Sequence, residues 1–483
     1  MKRLINIFSF FLALLFVIFA LFFGASFFNI TIASKTIYIF NSILAILLFV
    51  RIFRSKSAIP LLVGYKNYLA KKKKYIYFYY AFLTLSLLLI IPFSSWLVSL
   101  SIWLLHSFFI AKSKYYSIED IYFQNTIFHC FLINLSSHFF SETHLILSLV
   151  SFFLANGIIM FSAGIEKIKS PLWRHGEGAL SFISLPHLVK KGFHFFHKLP
   201  KPIFILVSFL IVFAESTLLF SPLNEYWLAI DLIILIGFSI SLFIIVDISF
   251  IGQIVTLSLC GIGFLWMVGD FRLVPIASNP LLNYDWTKVH FSIYLLSTFL
   301  LVTNGISLLF TFFPQIAQAI SLGKIQKFLS GINSPIGVFT EAHQVGFYTY
   351  RLVFEDKNDC LQTFCNKGYP SKFQFWHPRY FQAAMYPVTD FCLSWNKYGE
   401  PLTNKKEQVI DLLFTGVHLQ DEFTNVTQKI YLLVKKFDKG DSIDSYTQQN
   451  WVKICSAEFQ HKKLLSFDYI TTPPVVKTHF RSI

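Results

Sequence analysis

The chain has 483 residues, of which 55% are hydrophobic and 14% charged, and 58 are phenylalanine. Soluble domains carry about 25% charged residues and disordered chains carry more, so this composition excludes both an ordinary water-soluble enzyme and a disordered chain. The net charge of +15 is what cytoplasmic loops and head-group contacts supply in a multi-pass membrane protein, and no nucleic-acid partner is needed to account for it.

From the amino terminus, long apolar runs occupy 4–28, 37–53, 75–92, 94–111, 145–163, 203–222, 227–249, 250–269 and 289–313. Each is close to the ~20 residues that cross ~30 Å of hydrocarbon. The expected fold is an α-helical polytopic membrane protein of about nine transmembrane helices over 1–315, then a linker at 316–334 and a small β-rich extracytoplasmic domain at 335–483. The run from Thr126 to Phe140 is short and carries His129, Asn134, Ser136, Ser137 and His138. It reads as a re-entrant or interfacial helix, with a tenth span as the rival, and either choice satisfies its backbone. The first run follows Met1-Lys2-Arg3, exceeds a signal-peptide core in length and reads as an uncleaved span.

Sidedness follows from charge. The loop from Arg51 to Lys74, with Arg51, Arg54, Lys56, Lys66 and the run Lys71 to Lys74, is the strongest positive-inside marker. With the amino terminus also cytoplasmic and 126–140 not crossing, nine spans place the loop 164–202 and the carboxy-terminal domain outside. That loop is itself basic, with Lys167, Lys169, Arg174, Lys190, Lys191, Lys198 and Lys201, which the same rule would place inside.

The tail holds Cys360, Cys365, Cys392 and Cys455. Four cysteines in an oxidising compartment permit two disulfides in any of three connectivities. Strand signals fall at Tyr348 to Phe354, Lys429 to Phe437, Trp451 to Ala457 and Lys463 to Ile470, where β-branched and aromatic residues cluster between polar breaks. Phosphate-binding Gly loops, zinc-protease helices, nucleophile elbows and internal repeats are missing from the sequence. His194 and His197 in the run Gly192 to His197 lack a third ligand nearby and read as part of an aromatic interfacial belt, so no metal is expected.

Ionisable residues inside spans are costly and mark function. Here they are His106, Glu215, Asp231 and Asp247. Asp231 and Asp247 lie near helix ends and read as interfacial, and His106 reads as a partner for a neighbouring carbonyl. Glu215, deeper in Ile211-Val-Phe-Ala-Glu-Ser-Thr217, is expected to point into the bundle toward a cation or polar partner. In the stretch from Gly157 to Leu180 an apolar helix gives way to a polar loop. Ala163 and Gly164 permit close backbone approach, and Lys167 follows at the membrane rim, where desolvation disfavours an ammonium and suits a lysine to act as a base.

Phe161-Ser-Ala-Gly-Ile-Glu-Lys-Ile168, followed by Trp173, Gly176 and Ala179-Leu180, resembles the signature of vitamin K-dependent gamma-carboxylases and their wider family of horizontally transferred transmembrane domains. Tyr115 to Phe140, with Ile118-Glu-Asp120, and Phe213-Ala-Glu215 are similar to family segments in the same order, and the resemblance covers roughly 100–483. It implies that Lys167 is the base that deprotonates a vitamin K hydroquinone-like quinol; beside it, His175 and Glu215 are expected to assist and Trp173 and Asp247 to bind the cofactor. A histidine usual in the family's following span has no counterpart in Ser239 to Leu259, which offers Asp247 and Gln253. The expected function is a gamma-carboxylase-like membrane enzyme acting on a quinol-like or secreted peptide substrate at the outer membrane face, with membrane lipid as its surroundings. The alternative is a non-catalytic scaffold or an ion or solute transporter, although repeated halves are not evident.

Overall fold

The computed structural model describes residues 34–55, 65–91, 95–112, 118–139, 142–183, 191–221, 224–246, most of 252–261, 291–313, 348–355, 361–363, 428–436, 451–461, 463–469 and 475–476, with a few isolated positions between them. The described residues form a helical bundle followed by an antiparallel sheet. Five long helices come first: α1 (Ser34–Ser55), α2 (Tyr65–Leu88), α3 (Ser95–Lys112), α4 (Ile118–Phe139) and α5 (Glu142–Lys169). Two short helices, α6 (Pro171–Arg174) and α7 (Gly178–Ile183), and a 3-10 helix at Lys191–Lys198 lead into α8 (Lys201–Thr217), α9 (Glu225–Ile245) and, later, α10 (Phe291–Phe312). Among the described residues, Leu147–Lys169 and Tyr226–Ile245 are long and apolar enough to cross a membrane by length and composition, and Phe40–Ile52, Ser95–Ala111, Gly252–Gly261 and Leu295–Leu309 are shorter apolar helices. The first expected span, 4–28, lies outside the described residues.

The segment read as a short re-entrant piece belongs to α4, a continuous helix of 22 residues, which at 1.5 Å per residue is about 33 Å long. Its polar residues broke the apolar run in the sequence because they face neighbouring helices. Asp120 accepts from Arg51 Nη2 of α1 at 2.7 Å, and Asn125 Nδ2 donates to Asn156 of α5 at 3.0 Å. Asn134 and Asn41 of α1 exchange amide hydrogen bonds at 2.7 and 3.0 Å. His129 pairs through Nε2 with Ser151 of α5, whose hydroxyl also accepts from Asn304 of α10. Such interhelical bonds in an apolar bundle contribute roughly 0.6 kcal/mol each on average and fix register more than they add stability.

Register gives helix direction. Tyr122 meets Met160, Asn125 meets Asn156 and Ser136 meets Ser148, so α4 and α5 are antiparallel. Ser151 meets Asn304 and the rings of Phe161 and Phe312 pack at 5.9 Å, so α10 runs parallel to α5. The end of α9 returns beside the loop ahead of α8 through a bridge between Val189 and Val246.

The sheet has the order β2 (Leu361–Thr363), β1 (Tyr348–Glu355), β3 (Gln428–Lys436), β4 (Trp451–Gln460), β5 (Lys463–Tyr469), with β6 (Val475–Val476) also on β4. All pairings are antiparallel, and Val353, Tyr431 and Leu433 form its core. The four strand signals in the sequence correspond to β1, β3, β4 and β5. Cys455, opposite Leu432 in the ladder, is a buried free thiol, so the expectation that all four tail cysteines pair does not hold for it. Burial pushes that thiol up to about 12, which makes it a packing residue with little thiolate character. Cys360, Cys365 and Cys392 lie outside the described residues.

Candidate functional site

The site forms where α5 and α8 cross. Gly157 and Gly164 are seven residues apart on α5; Gly164 touches the α8 backbone and Gly157 the backbone of the turn just after it. A methyl group at Gly157 would lie 3.0 Å from Leu219 Cα, and one at Gly164 would lie 2.7 Å from the Ser216 amide nitrogen. Helices that approach this closely bring the next turn of α5 against Glu215. Lys167 and Glu215 are 2% and 3% exposed, and Lys167 Nζ donates to Glu215 Oε1 at 2.8 Å and to Oε2 at 2.5 Å. Glu215 therefore points into the bundle toward a cation, as its cost in hydrocarbon demands.

Pro171 then ends α5. It has no N–H for the carbonyl of Lys167, which accepts from Ser170 N at 3.0 Å. The chain turns back through α6, and Trp173, 3% exposed, lays its ring 5.2 Å from Lys167 Nζ. Gly178 stacks against the other parts of that indole so closely that a methyl group there would overlap it. Gly176 has φ +72° and abuts Ile205 of α8, so a side chain there would be strained by backbone and by space. Ser208 of α8 staples the turn, its Oγ accepting from Ala179 N at 3.0 Å and donating to the Gly176 carbonyl at 3.2 Å. Gly164, Lys167, Trp173, Gly176 and Ala179 thus all lie in or beside one buried amine–carboxylate–indole cluster.

Next to the cluster lies an apolar cavity of about 400 Å³ between α7, α8 and α9. Trp173 forms part of its wall, as do Ala179, Phe204, Ile211, Phe238 and Leu242. Ile211 is one turn before Glu215 on α8, so the cavity ends beneath the ion pair. Its wall residues Ile203 and Ile233 are 44% and 71% exposed, which leaves the α8–α9 flank open to the exterior. Ser216, beside Glu215, has a buried hydroxyl with no hydrogen-bond partner among the described residues.

The other sequence candidates divide. His175 is exposed at the end of α6, and no hydrogen bond or ion pair joins it to Lys167 or Glu215 among the described residues. Glu166 and Glu177, the acidic neighbours in sequence, pair with Lys169 and Lys201. Asp247 lies outside the described residues. Asp231, read as interfacial, is buried at 0% exposure and accepts from Thr217 Oγ1 at 2.9 Å, because α9 packs this face on α8. His106 pairs through Nδ1 with the side-chain carbonyl of Gln124. The sequence reading missed Ser208 and Gly178, and the only signal for them was their small size within a turn that must pack on a helix. Comparisons with protein-family profiles, curated proteins and solved structures find no match to this chain.

Proposed function

We propose that the chain is a multi-pass membrane enzyme, similar to gamma-carboxylases, in which Lys167 and Glu215 form a proton-accepting pair for a lipophilic quinol. The observation that carries this reading is that one indole, Trp173, both backs the buried ammonium and walls an apolar cavity. The exteriors of α2, α3, α8 and α9 support the membrane setting, since Tyr77, Leu97, Leu206 and Ile233 are all at least half exposed and an apolar surface of that extent suits hydrocarbon. Counting α4 as crossing raises the proposed span number from about nine to about ten.

An apolar body such as that of a quinol-like group fits the cavity, and Trp173 is shared between the cavity wall and the amine–carboxylate pair. Such a group supplies the electrons for reaction with oxygen when bound. The chain's contribution is to the proton. In a low-dielectric site the charged pair and the neutral amine with carboxylic acid are two placements of one proton, and the cost of burying both charges brings them close in energy. With the shared proton placed on Glu215 across the 2.5 Å contact, the neutral Nζ can accept one further proton, which leaves an ammonium beside a carboxylic acid, and the indole face favours the cationic amine as it forms.

Gly237 borders the cavity, and a side chain built there meets nothing within 4 Å. Gly237→Phe should therefore fill it without disturbing the ion pair. Binding of a radiolabelled menaquinone to the full chain in nanodiscs is expected to weaken about tenfold, roughly the effect of losing 1.4 kcal/mol. Unchanged affinity, or no binding by the parent chain, would remove the cavity from the proposal.

A further inference from the structure

The registers described above place the basic segments of the chain at one end of the bundle. Arg51 at the end of α1 pairs with Asp120 at the start of α4. The ammonium of Lys74, at the start of α2, lies 5.9 Å from the Phe108 ring near the end of α3. Because α4 and α5 are antiparallel, the end of α5, with Lys167 and Lys169, is at that same end; the turn carrying Arg174 follows it directly, and Lys201 pairs with Glu177 of that turn. At the opposite end, the described residues contain Lys35 as their one lysine or arginine. The two ends differ in charge far more than the turn sequences need for packing.

We infer that the basic end is the cytoplasmic end, and that both the Lys167–Glu215 site and the carboxy-terminal sheet lie on the cytoplasmic side of the membrane. Lysine and arginine within 15–20 residues of span ends set orientation, and here all of the basic loops agree once α4 crosses. The loop 164–202, which conflicted with a nine-span topology, then sits where its charge predicts. The tail follows from where α10 ends, because the sequence has no further apolar run of spanning length between Phe313 and Tyr348. α10 runs parallel to α5 and ends with Phe312 against Phe161, so the chain leaves the bundle at the basic end. The free thiol of Cys455 suits a reducing compartment. A substrate therefore reaches the pair from the cytoplasm or from within the bilayer, and not as an exported peptide arriving from outside. This inference rests on the membrane-spanning part of the proposed function and not on its enzymology.

The test is labelling of single introduced cysteines with a membrane-impermeant maleimide, compared with the parent chain, in spheroplasts before and after permeabilisation. Lys198→Cys samples the basic end, Leu465→Cys the sheet and Ser137→Cys, at the end of α4 away from Asp120, the opposite end; all three positions are exposed. Ser137→Cys is expected to react in intact spheroplasts, and the other two only after permeabilisation. Reaction of Lys198→Cys or Leu465→Cys in intact spheroplasts overturns the inference. A carboxy-terminal fluorescent protein that matures only in the cytoplasm gives a readout independent of the substitutions; its fluorescence is expected, and its silence in a membrane-inserted chain overturns the sidedness. Extraction of the chain by carbonate would instead contradict the membrane reading, while loss of quinone binding would leave the labelling pattern untouched.

Discussion

Glu215→Ala is expected to destabilise the protein by about 3–5 kcal/mol, because it leaves the Lys167 ammonium buried with no counter-charge. Lys167→Ala strands the carboxylate in the same way, so it is not the neutral probe of chemistry that a lysine at the membrane rim would have been. The double variant Lys167→Met with Glu215→Leu replaces the pair by apolar groups of similar volume. It is expected to melt near or above the parent, since desolving two charges offsets much of their attraction. Thermal melts of the detergent-solubilised parent, the singles Lys167→Met and Glu215→Leu, and their double check this as a double-mutant cycle. Equal melting of Glu215→Ala and the parent would show that the pair is not buried as described.

Gly164→Val is expected to have the second largest effect. Its branched carbons would enter space held by the Ser216 amide nitrogen, 2.7 Å from the position of a first carbon. Backbone cannot yield as a flexible side chain does, so α5 and α8 must separate. Overpacking of this kind costs typically 1–3 kcal/mol, and the same displacement takes Glu215 away from Lys167. The expected result is a lowered melting temperature together with loss of quinone-dependent activity. Gly192→Val, at an exposed position where a methyl group meets nothing within 4 Å, should change neither. Activity retained at Gly164→Val would mean that the crossing tolerates the pair's separation.

The sequence disclosed the burial of Glu215 because a carboxylate in the middle of an apolar run has few stable placements. It did not disclose the partner. Lys167 is 48 residues away, two glutamates lie nearer to it in the chain, and only the tight α5–α8 crossing decides among them. The small-residue spacing Gly157, Gly164 carried that information in a form that needs the second helix to be read. The polar residues of α4 broke its apolar run in the sequence, and that Asn125, His129 and Asn134 each meet another helix is information one helix alone does not carry. The strands were legible from β-branched and aromatic runs with polar breaks, a local signal. His175 was grouped with the site because it follows Trp173 by two residues, yet that spacing in a short helix turns its side chain outward.

The most direct measurement of the central claim is quinol-dependent oxygen uptake by Lys167→Arg in nanodiscs. Arginine keeps the positive charge and can pair with Glu215, so the fold is retained, but a guanidinium does not give up its proton near neutral pH. The parent chain supplied with vitamin K hydroquinone is expected to consume oxygen above the autoxidation rate, and Lys167→Arg, melting like the parent, is expected to fall to that rate. Parent activity at the autoxidation rate, or full activity of Lys167→Arg, would contradict the assignment of Lys167 as the base.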